Sequence, residues 1–156
     1  MRRRRAEKRE AVADPKYNSK LVAKFINNLM VEGKKTIAES IVYNAFDILE
    51  KKTQEDGALK VFNKAIENVR PKIKVKSRRV GGSTYQVPVE VSTPQGNSLA
   101  IRWIRDFARK KKGRPMQQKL ADELFAAYKG EGSAVKKKDD THKMADSNKA
   151  FAHLRW

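Results

Sequence analysis

The chain has 156 residues, room for one domain and its core but not for a separate catalytic unit, and it carries 36 lysines and arginines against 18 aspartates and glutamates, a formal charge of +18. It has no cysteine, which excludes disulfides, thiolate metal sites and cysteine nucleophiles and suits a reducing cytoplasm. No run approaches the roughly twenty apolar residues that cross a bilayer, and residues 6–15 after the opening arginines are polar and charged rather than the apolar core of an export signal, so neither a membrane span nor export is expected.

Residues 1–17 read as a basic, disordered N-terminal arm. From residue 18 to residue 156 the pattern predicts a single helical domain. Asn18 or Ser19 can cap a first helix whose stripe is Leu21, Val22, Phe25, Ile26, Leu29 and Met30. Gly33 stops it, and Thr36 with Glu39 has the spacing of a capping box that starts a second helix through Ile37, Ile41, Val42, Ala45, Phe46 and Leu49, ending near Thr53. A third helix through Leu59, Phe62, Ala65, Ile66 and Val69 is stopped by Pro71.

From Lys72 the period changes to two. Ile73 and Val75 point one way while Lys72, Lys74, Lys76 and Arg78 point the other, a strand with a charged face. Gly81, Gly82 and Ser83 permit a turn, and the return strand places Tyr85, Val87, Val89 and Val91 on one face, with Pro88 confining it to an edge. No third strand is visible, so this hairpin at residues 72–91 should lean on helices at its base and on a ligand at its tip.

Thr93 and Pro94 begin a fourth helix through Leu99, Ala100, Trp103, Ile104, Phe107 and Ala108, which puts Trp103 in the core and Arg102, Arg105 and Arg109 beside the stripe. Gly113 ends it. Pro115 opens a fifth helix through Met116, Leu120, Leu124, Phe125 and Tyr128, closed by Gly130 and Gly132, and Ser133 can cap a sixth, polar helix running to about Phe151. The expected fold is mainly α: a six-helix domain with a protruding two-stranded β-hairpin arm and a basic N-terminal extension.

The charge is segregated along this plan. Residues 1–10 hold six basic and two acidic groups, residues 11–67 nine and eight, residues 68–121 fourteen and two, and residues 122–156 seven and six. Solubility alone would intersperse the signs, because like charges repel. A stretch from Asn68 to Val89 without one carboxylate is what contact with a polyanion favours, and nucleic acid is the polyanion that basic arms and helix faces fit. An amphipathic membrane helix is disfavoured by the alternation from Lys72 to Arg79.

Catalytic constellations are missing from the pattern. His142 and His153 are eleven apart, too far to act together on one helix face, and each reads as a surface polar group or a nucleic-acid contact. The carboxylates Asp122 with Glu123 and Asp139 with Asp140 are adjacent and point to different sides of a helix. Gly33-Lys34-Lys35 lacks the upstream glycine and preceding strand of a phosphate loop. No enzyme activity, cofactor, metal or small-molecule substrate is expected. A DNA-bending protein with basic β-arms would carry a wedge such as proline at the arm tip, whereas Pro88 lies well inside the return strand.

A series of motifs completes the reading: Asp14-Pro15-Lys16-Tyr17, Leu21-Val22-Ala23-Lys24-Phe25, Gly33-Lys34-Lys35-Thr36, Ala38-Glu39 with Ile41-Val42-Tyr43, Ala65 to Pro71, Arg78-Arg79-Val80-Gly81-Gly82, Ile101-Arg102-Trp103, Ala134 to Lys138, Thr141-His142-Lys143-Met144-Ala145 and Ala150-Phe151-Ala152-His153. Along nearly its whole length the chain resembles small-subunit ribosomal protein seven of bacteria. The resemblance implies six helices and a β-hairpin in a primary binder of the 3′ major domain of 16S ribosomal RNA that nucleates assembly of the subunit head. It further implies a place near the exit-site transfer RNA and the messenger RNA, contacts to ribosomal proteins nine and eleven, a cytoplasmic location in the ribosome, and in some members repression of their own operon. Two departures stand out: Ser92 to Asn97 where relatives often carry arginines after the second strand, and Arg2 where they commonly have proline.

On this reading Arg2, Arg3, Arg4, Arg5, Lys8 and Arg9 thread between RNA helices. Lys34 and Lys35, the arm residues Lys72, Lys74, Lys76, Arg78 and Arg79, and Arg102, Arg105, Arg109, Lys110, Lys111, Lys112, Arg114 and Lys119 line a second phosphate-binding surface. The resemblance adds Lys136, Lys137 and Lys138 on ribosomal RNA. It places Arg79, Val80, Gly81, Gly82, Ser83, Tyr85, Lys143 and Lys149 near transfer and messenger RNA.

Overall fold

The computed structural model describes residues 6, 10–53 and 57–154, so Arg2, Arg3, Arg4, Arg5, Lys8 and Arg9 of the expected arm lie outside the described residues. Six α-helices and one hairpin follow in the expected order: α1 (Lys20–Leu29), α2 (Lys35–Thr53), α3 (Ala58–Val69), β1 (Ile73–Val80), β2 (Ser83–Glu90), α4 (Thr93–Lys110), α5 (Met116–Tyr128) and α6 (Ser133–Ser147), with a closing 3-10 segment, Lys149–Leu154.

Local chemistry sets the boundaries. The Ser19 hydroxyl accepts the Val22 N–H at 3.4 Å and caps α1. Between α1 and α2 the chain reverses through Glu32 and Gly33, both at positive φ (+52° and +74°). The capping box expected at Thr36 and Glu39 does not form, because α2 already starts at Lys35 and Glu39 lies 3.7 Å from the Lys35 ammonium. The sixth helix stops at Ser147 rather than near Phe151. There the Ser147 hydroxyl and the Asn148 amide donate to the carbonyls of Lys143 and Met144 (2.9 and 2.7 Å), local bonds that compete with continued α-helix, and the backbone tightens into the 3-10 segment.

The apolar stripes of the helices meet in one core. Phe62 on α3 lies 5.2 Å from the Phe25 ring of α1 and 5.3 Å from the Phe46 ring of α2, while Ile104 of α4 and Leu120 and Leu124 of α5 close the other side, all fully buried. The expected stripe residues are not all buried to the same depth. The buried line on α2 runs through Ala38, Val42, Ala45, Phe46 and Leu49, which leaves Ile37 off its edge and 56% exposed. Trp103 is half-buried at the rim, packed against the core rather than within it.

The end of the 1–17 extension belongs to the body. Asp14 is buried, and its carboxylate accepts the N–H groups of Lys16 (3.1 Å) and Tyr17 (3.0 Å) and the Tyr43 hydroxyl (2.7 Å). That turn drops the Tyr17 ring edge-on against Phe46 at 5.1 Å. Three donors around one carboxylate hold a segment that a count of arginines assigns to a loose arm.

The arm is an antiparallel ribbon closed by Gly81 and Gly82, at φ +56° and +88°, the two left-handed residues of a type I′ turn. Its register overturns the expected charged face. Residues directly opposite one another share a face, and the pairs are Lys74 with Val89, Lys76 with Val87, and Arg78 with Tyr85. An even-numbered residue of β1 therefore meets an odd-numbered residue of β2, so the cations of the first strand lie on the same side as the apolar residues of the second. α6 and the 3-10 segment pack along the arm: Val87 is fully buried, the Tyr85 ring lies 5.1 Å from Phe151, and the Arg78 guanidinium donates to the Leu154 carbonyl.

Candidate nucleic-acid interface

α4 is the spine of the basic surface because its first turn lets the root of the arm approach closely. Gly96 is buried there, and a Cβ on it would stand 2.7 Å from Cγ of Arg70 and 3.2 Å from the Pro71 carbonyl. The bare backbone at Gly96 thus sets Lys74 beside α4, in a cleft lined by Lys74, Pro94, Gln95, Ser98, Leu99 and Arg102. Ser98 also lines the next cleft, between α4 and α1, together with Lys24, Asn27, Asn28 and Ile101. A single polar and cationic face therefore runs from the arm root across α4 to α1.

Sequence reasoning missed Lys24, Asn27, Asn28 and Ser98. They lie on the polar sides of amphipathic helices, Lys24, Asn27 and Asn28 in a stretch of near-neutral charge, and only the packing of α1 on α4 gives them a common direction.

Several expected phosphate ligands are tied to the chain itself. Arg105 donates to the carbonyl and side-chain oxygens of Asn28 (3.2 and 2.7 Å) and pairs with Asp106, and Arg109 donates to the Leu29 carbonyl at 3.0 Å. Together they cap the C-terminal end of α1, where cations suit the helix dipole. Lys111 pairs with Glu123 at 2.7 Å, Arg114 with Asp122 at 3.1 Å, and Lys138 donates to the Asn68 carbonyl at 2.9 Å. Lys34 and Lys35 make pairs with Glu32 and Glu39 of the exposed kind that contribute little.

Lys72, Lys76, Arg79, Arg102, Lys110, Lys112, Lys136, Lys137, Lys143 and Lys149 are exposed, while Lys74 and Lys119 are half-buried. Arg79, Val80, Gly81, Gly82 and Ser83 form the exposed tip of the arm, and Tyr85, two residues from it, is half-buried against Phe151.

The adjacent carboxylates of α5 point apart, as expected, and both are structural. Glu123 is 1% exposed and accepts the Ala134 N–H at 3.2 Å, so it caps α6 from α5 while its other oxygen binds Lys111. Asp122 is half-buried, between Lys52 of α2 and Arg114. Burial alone would raise its pKa, but the Lys52 ammonium bonded to it at 2.5 Å and the Arg114 guanidinium outweigh burial and hold the carboxyl below its ordinary value. Burial, with the hydrogen bond to Asp14, pushes the Tyr43 phenol up to about 12. Neither histidine joins a chemical site: His142 accepts the Lys72 backbone N–H at Nε2, and His153 Nδ1 lies 2.9 Å from the Ala150 carbonyl.

Among the described residues no group of three or more His, Cys, Asp or Glu side chains is placed to hold a metal ion, and no helix is long and apolar enough to cross a membrane. What the arrangement supplies is an array of held cations, amides and hydroxyls, the donor set that engages phosphate oxygens.

The family model described as ribosomal protein S7p/S5e matches residues 1–149. The small ribosomal subunit protein uS7 of Thermotoga maritima is 60% identical over 156 residues, covering the whole of both chains. The protein of the same description from Francisella tularensis subsp. holarctica is 56% identical, and that from Anaeromyxobacter sp. 55%, each over 99% of both chains. The chain belongs to the ribosomal protein S7p/S5e family, and with it to the structural, non-enzymatic proteins of the small subunit of the cytoplasmic ribosome.

Proposed function

We propose that this chain binds the 3′ major domain of 16S ribosomal RNA as a primary binder, through the face that joins the arm root, α4 and α1, and so nucleates assembly of the subunit head. The observation that carries this reading is the convergence of Lys74 and Arg102 in one cleft, continued across Ser98 to Lys24 and Asn27. Cations and amides spread over elements distant in sequence fit folded RNA, which is read by shape across grooves and loops. The exposed tip, Arg79 to Ser83, with Lys149 beside the arm and Lys143 on the α6 face that carries Lys136, is the part that approaches messenger RNA and exit-site transfer RNA. Lys136 and Lys137 add phosphate contacts, and ribosomal proteins nine and eleven adjoin the seated chain. The opening arginines follow the RNA, and Lys34, Lys35, Lys110, Lys112 and Lys119 extend its contacts. The same face suits a folded messenger leader, which makes repression of the chain's own operon a competition between two RNAs.

Filter binding to a 3′ major domain transcript tests the reading. With about six or more phosphates engaged, affinity should fall on the order of a thousandfold or more between about 50 and about 200 mM salt. Replacing Lys74 and Arg102 with Gln should weaken binding and lower the salt slope by roughly one for each phosphate that the variant no longer engages. A flat salt response, or unchanged affinity in that double variant, contradicts the proposal.

A further inference from the structure

One hydrogen bond at the root of the arm comes from a side chain far along the chain. Lys72, between Pro71 and β1, accepts the Val91 N–H at its carbonyl (2.9 Å), closing the hairpin. Its own N–H finds its acceptor outside β2, at Nε2 of His142 on α6, 3.1 Å away. An imidazole that accepts at Nε2 is neutral and carries its proton on Nδ1. Higher up, the same C-terminal stretch grips the arm twice more, through Phe151 on Tyr85 and the Leu154 carbonyl on Arg78, but neither of those contacts involves a group that titrates near neutrality.

We propose that His142 is a proton-gated latch that positions the arm. In its neutral form it fixes the root of the hairpin to α6; on gaining a proton it presents N–H to N–H and releases that root. Imidazole is the side chain whose ordinary titration falls in the range where such a change has consequences. The elements that pack together at the joint carry charges of both signs: Lys138, Asp139, Lys143 and Asp146 on α6, Lys72 before β1 and Lys74 on it, and Glu90 on β2. Arg70 follows α3, Arg102 stands on α4, Glu123 on α5 and Lys149 in the 3-10 segment. A proton gained at Nε2 removes the acceptor on which the bond to Lys72 depends. The latch concerns how the arm is attached and stands apart from what the arm binds.

Amide hydrogen exchange in the whole protein, without RNA, reads the bond directly. The protection of the Lys72 amide, corrected for intrinsic exchange, should fall on the order of fivefold or more between about pH 8 and about pH 5.5, as expected when one hydrogen bond opens. His142→Gln keeps an acceptor of similar reach without a titration, so its Lys72 amide should stay protected at both pH values; His142→Leu should be unprotected at both. Wild-type protection that does not change with pH overturns the latch, and so does a Gln variant that titrates like the wild type. The comparison of wild type with the Gln variant decides the matter even if the Leu variant does not fold.

Discussion

Glu123→Ala tests whether a carboxylate with no part in RNA contact joins the C-terminal half of the domain. The wild-type group is 1% exposed, accepts the Ala134 N–H at 3.2 Å and binds the Lys111 ammonium at 2.7 Å, so one side chain connects the end of α4, the middle of α5 and the start of α6. Loss of a helix-capping acceptor costs about 1 kcal/mol, and loss of a charge-assisted hydrogen bond about 1.5–3 kcal/mol. The full cost of breaking a buried ion pair does not apply, because the Lys111 side chain is 38% exposed and its ammonium rehydrates once released. The expected total is about 2–4 kcal/mol, a fall in Tm of roughly 5–15 °C for a chain of this size, measured by calorimetry or circular dichroism. Glu123→Gln retains an acceptor for Ala134 and loses only the charge, so it should cost about half as much. An Ala variant within about 0.5 kcal/mol of wild type, or a Gln variant as unstable as the Ala variant, would refute this account.

Gly96→Ala should destabilise by about 1–2 kcal/mol even though alanine is the better helix former by about 1 kcal/mol, because its Cβ would meet Arg70 Cγ at 2.7 Å and the Pro71 carbonyl at 3.2 Å; denaturant unfolding gives the sign, and amide shifts at Lys72 and Lys74 report the displaced root. Tyr43 should be among the last of the four tyrosines to ionise, near the value of about 12 that burial and Asp14 impose, in an ultraviolet titration from which Tyr43→Phe deletes one step. A phenol raised above its unfolded value of about 10 contributes stability that is complete below that pH and lost as pH rises through the folded value. Arg109→Gln should lower both stability and RNA affinity, since its guanidinium caps α1, whereas Arg102→Gln should lower affinity alone; equal unfolding midpoints for the two variants would remove the distinction.

The helices were legible because their signals are local. Ser19 caps α1 through its own hydroxyl, Gly81 and Gly82 supply the two left-handed residues of the turn, and most of the stripe positions of α1 and α3 are buried, Val22, Phe25, Ile26 and Leu29 on α1 and Phe62, Ala65, Ile66 and Val69 on α3. What sequence could not deliver was relative phase. Alternation in β1 and in β2 is visible in each strand separately, but only the turn decides whether even positions meet even or odd ones. A two-residue turn between Val80 and Ser83 pairs even with odd, and that parity places Lys74, Lys76 and Arg78 beside valines and Tyr85. Residues whose partners are distant in sequence were missed for a related reason: Asp14 finds Tyr43, Glu123 finds Lys111 and Ala134, and His142 finds Lys72, none at a spacing that a motif could carry.

The same distance between charge and partner decides what the basic middle segment can do. Fourteen cations against two carboxylates in residues 68–121 would favour RNA contact less if its arginines were neutralised at home. Arg109, however, is held by the Leu29 backbone carbonyl. A carbonyl supplies lone pairs and carries no net charge, so an arginine fixed on it keeps its charge and gives up rotamer freedom, which lessens the ordering required when a phosphate arrives. Arg105, Lys111 and Arg114 differ, because Asp106, Glu123 and Asp122 pair with them. The surface that remains is therefore smaller than the sequence count, more rigid than a lysine-rich tail, and gathered on the arm root, α4 and α1.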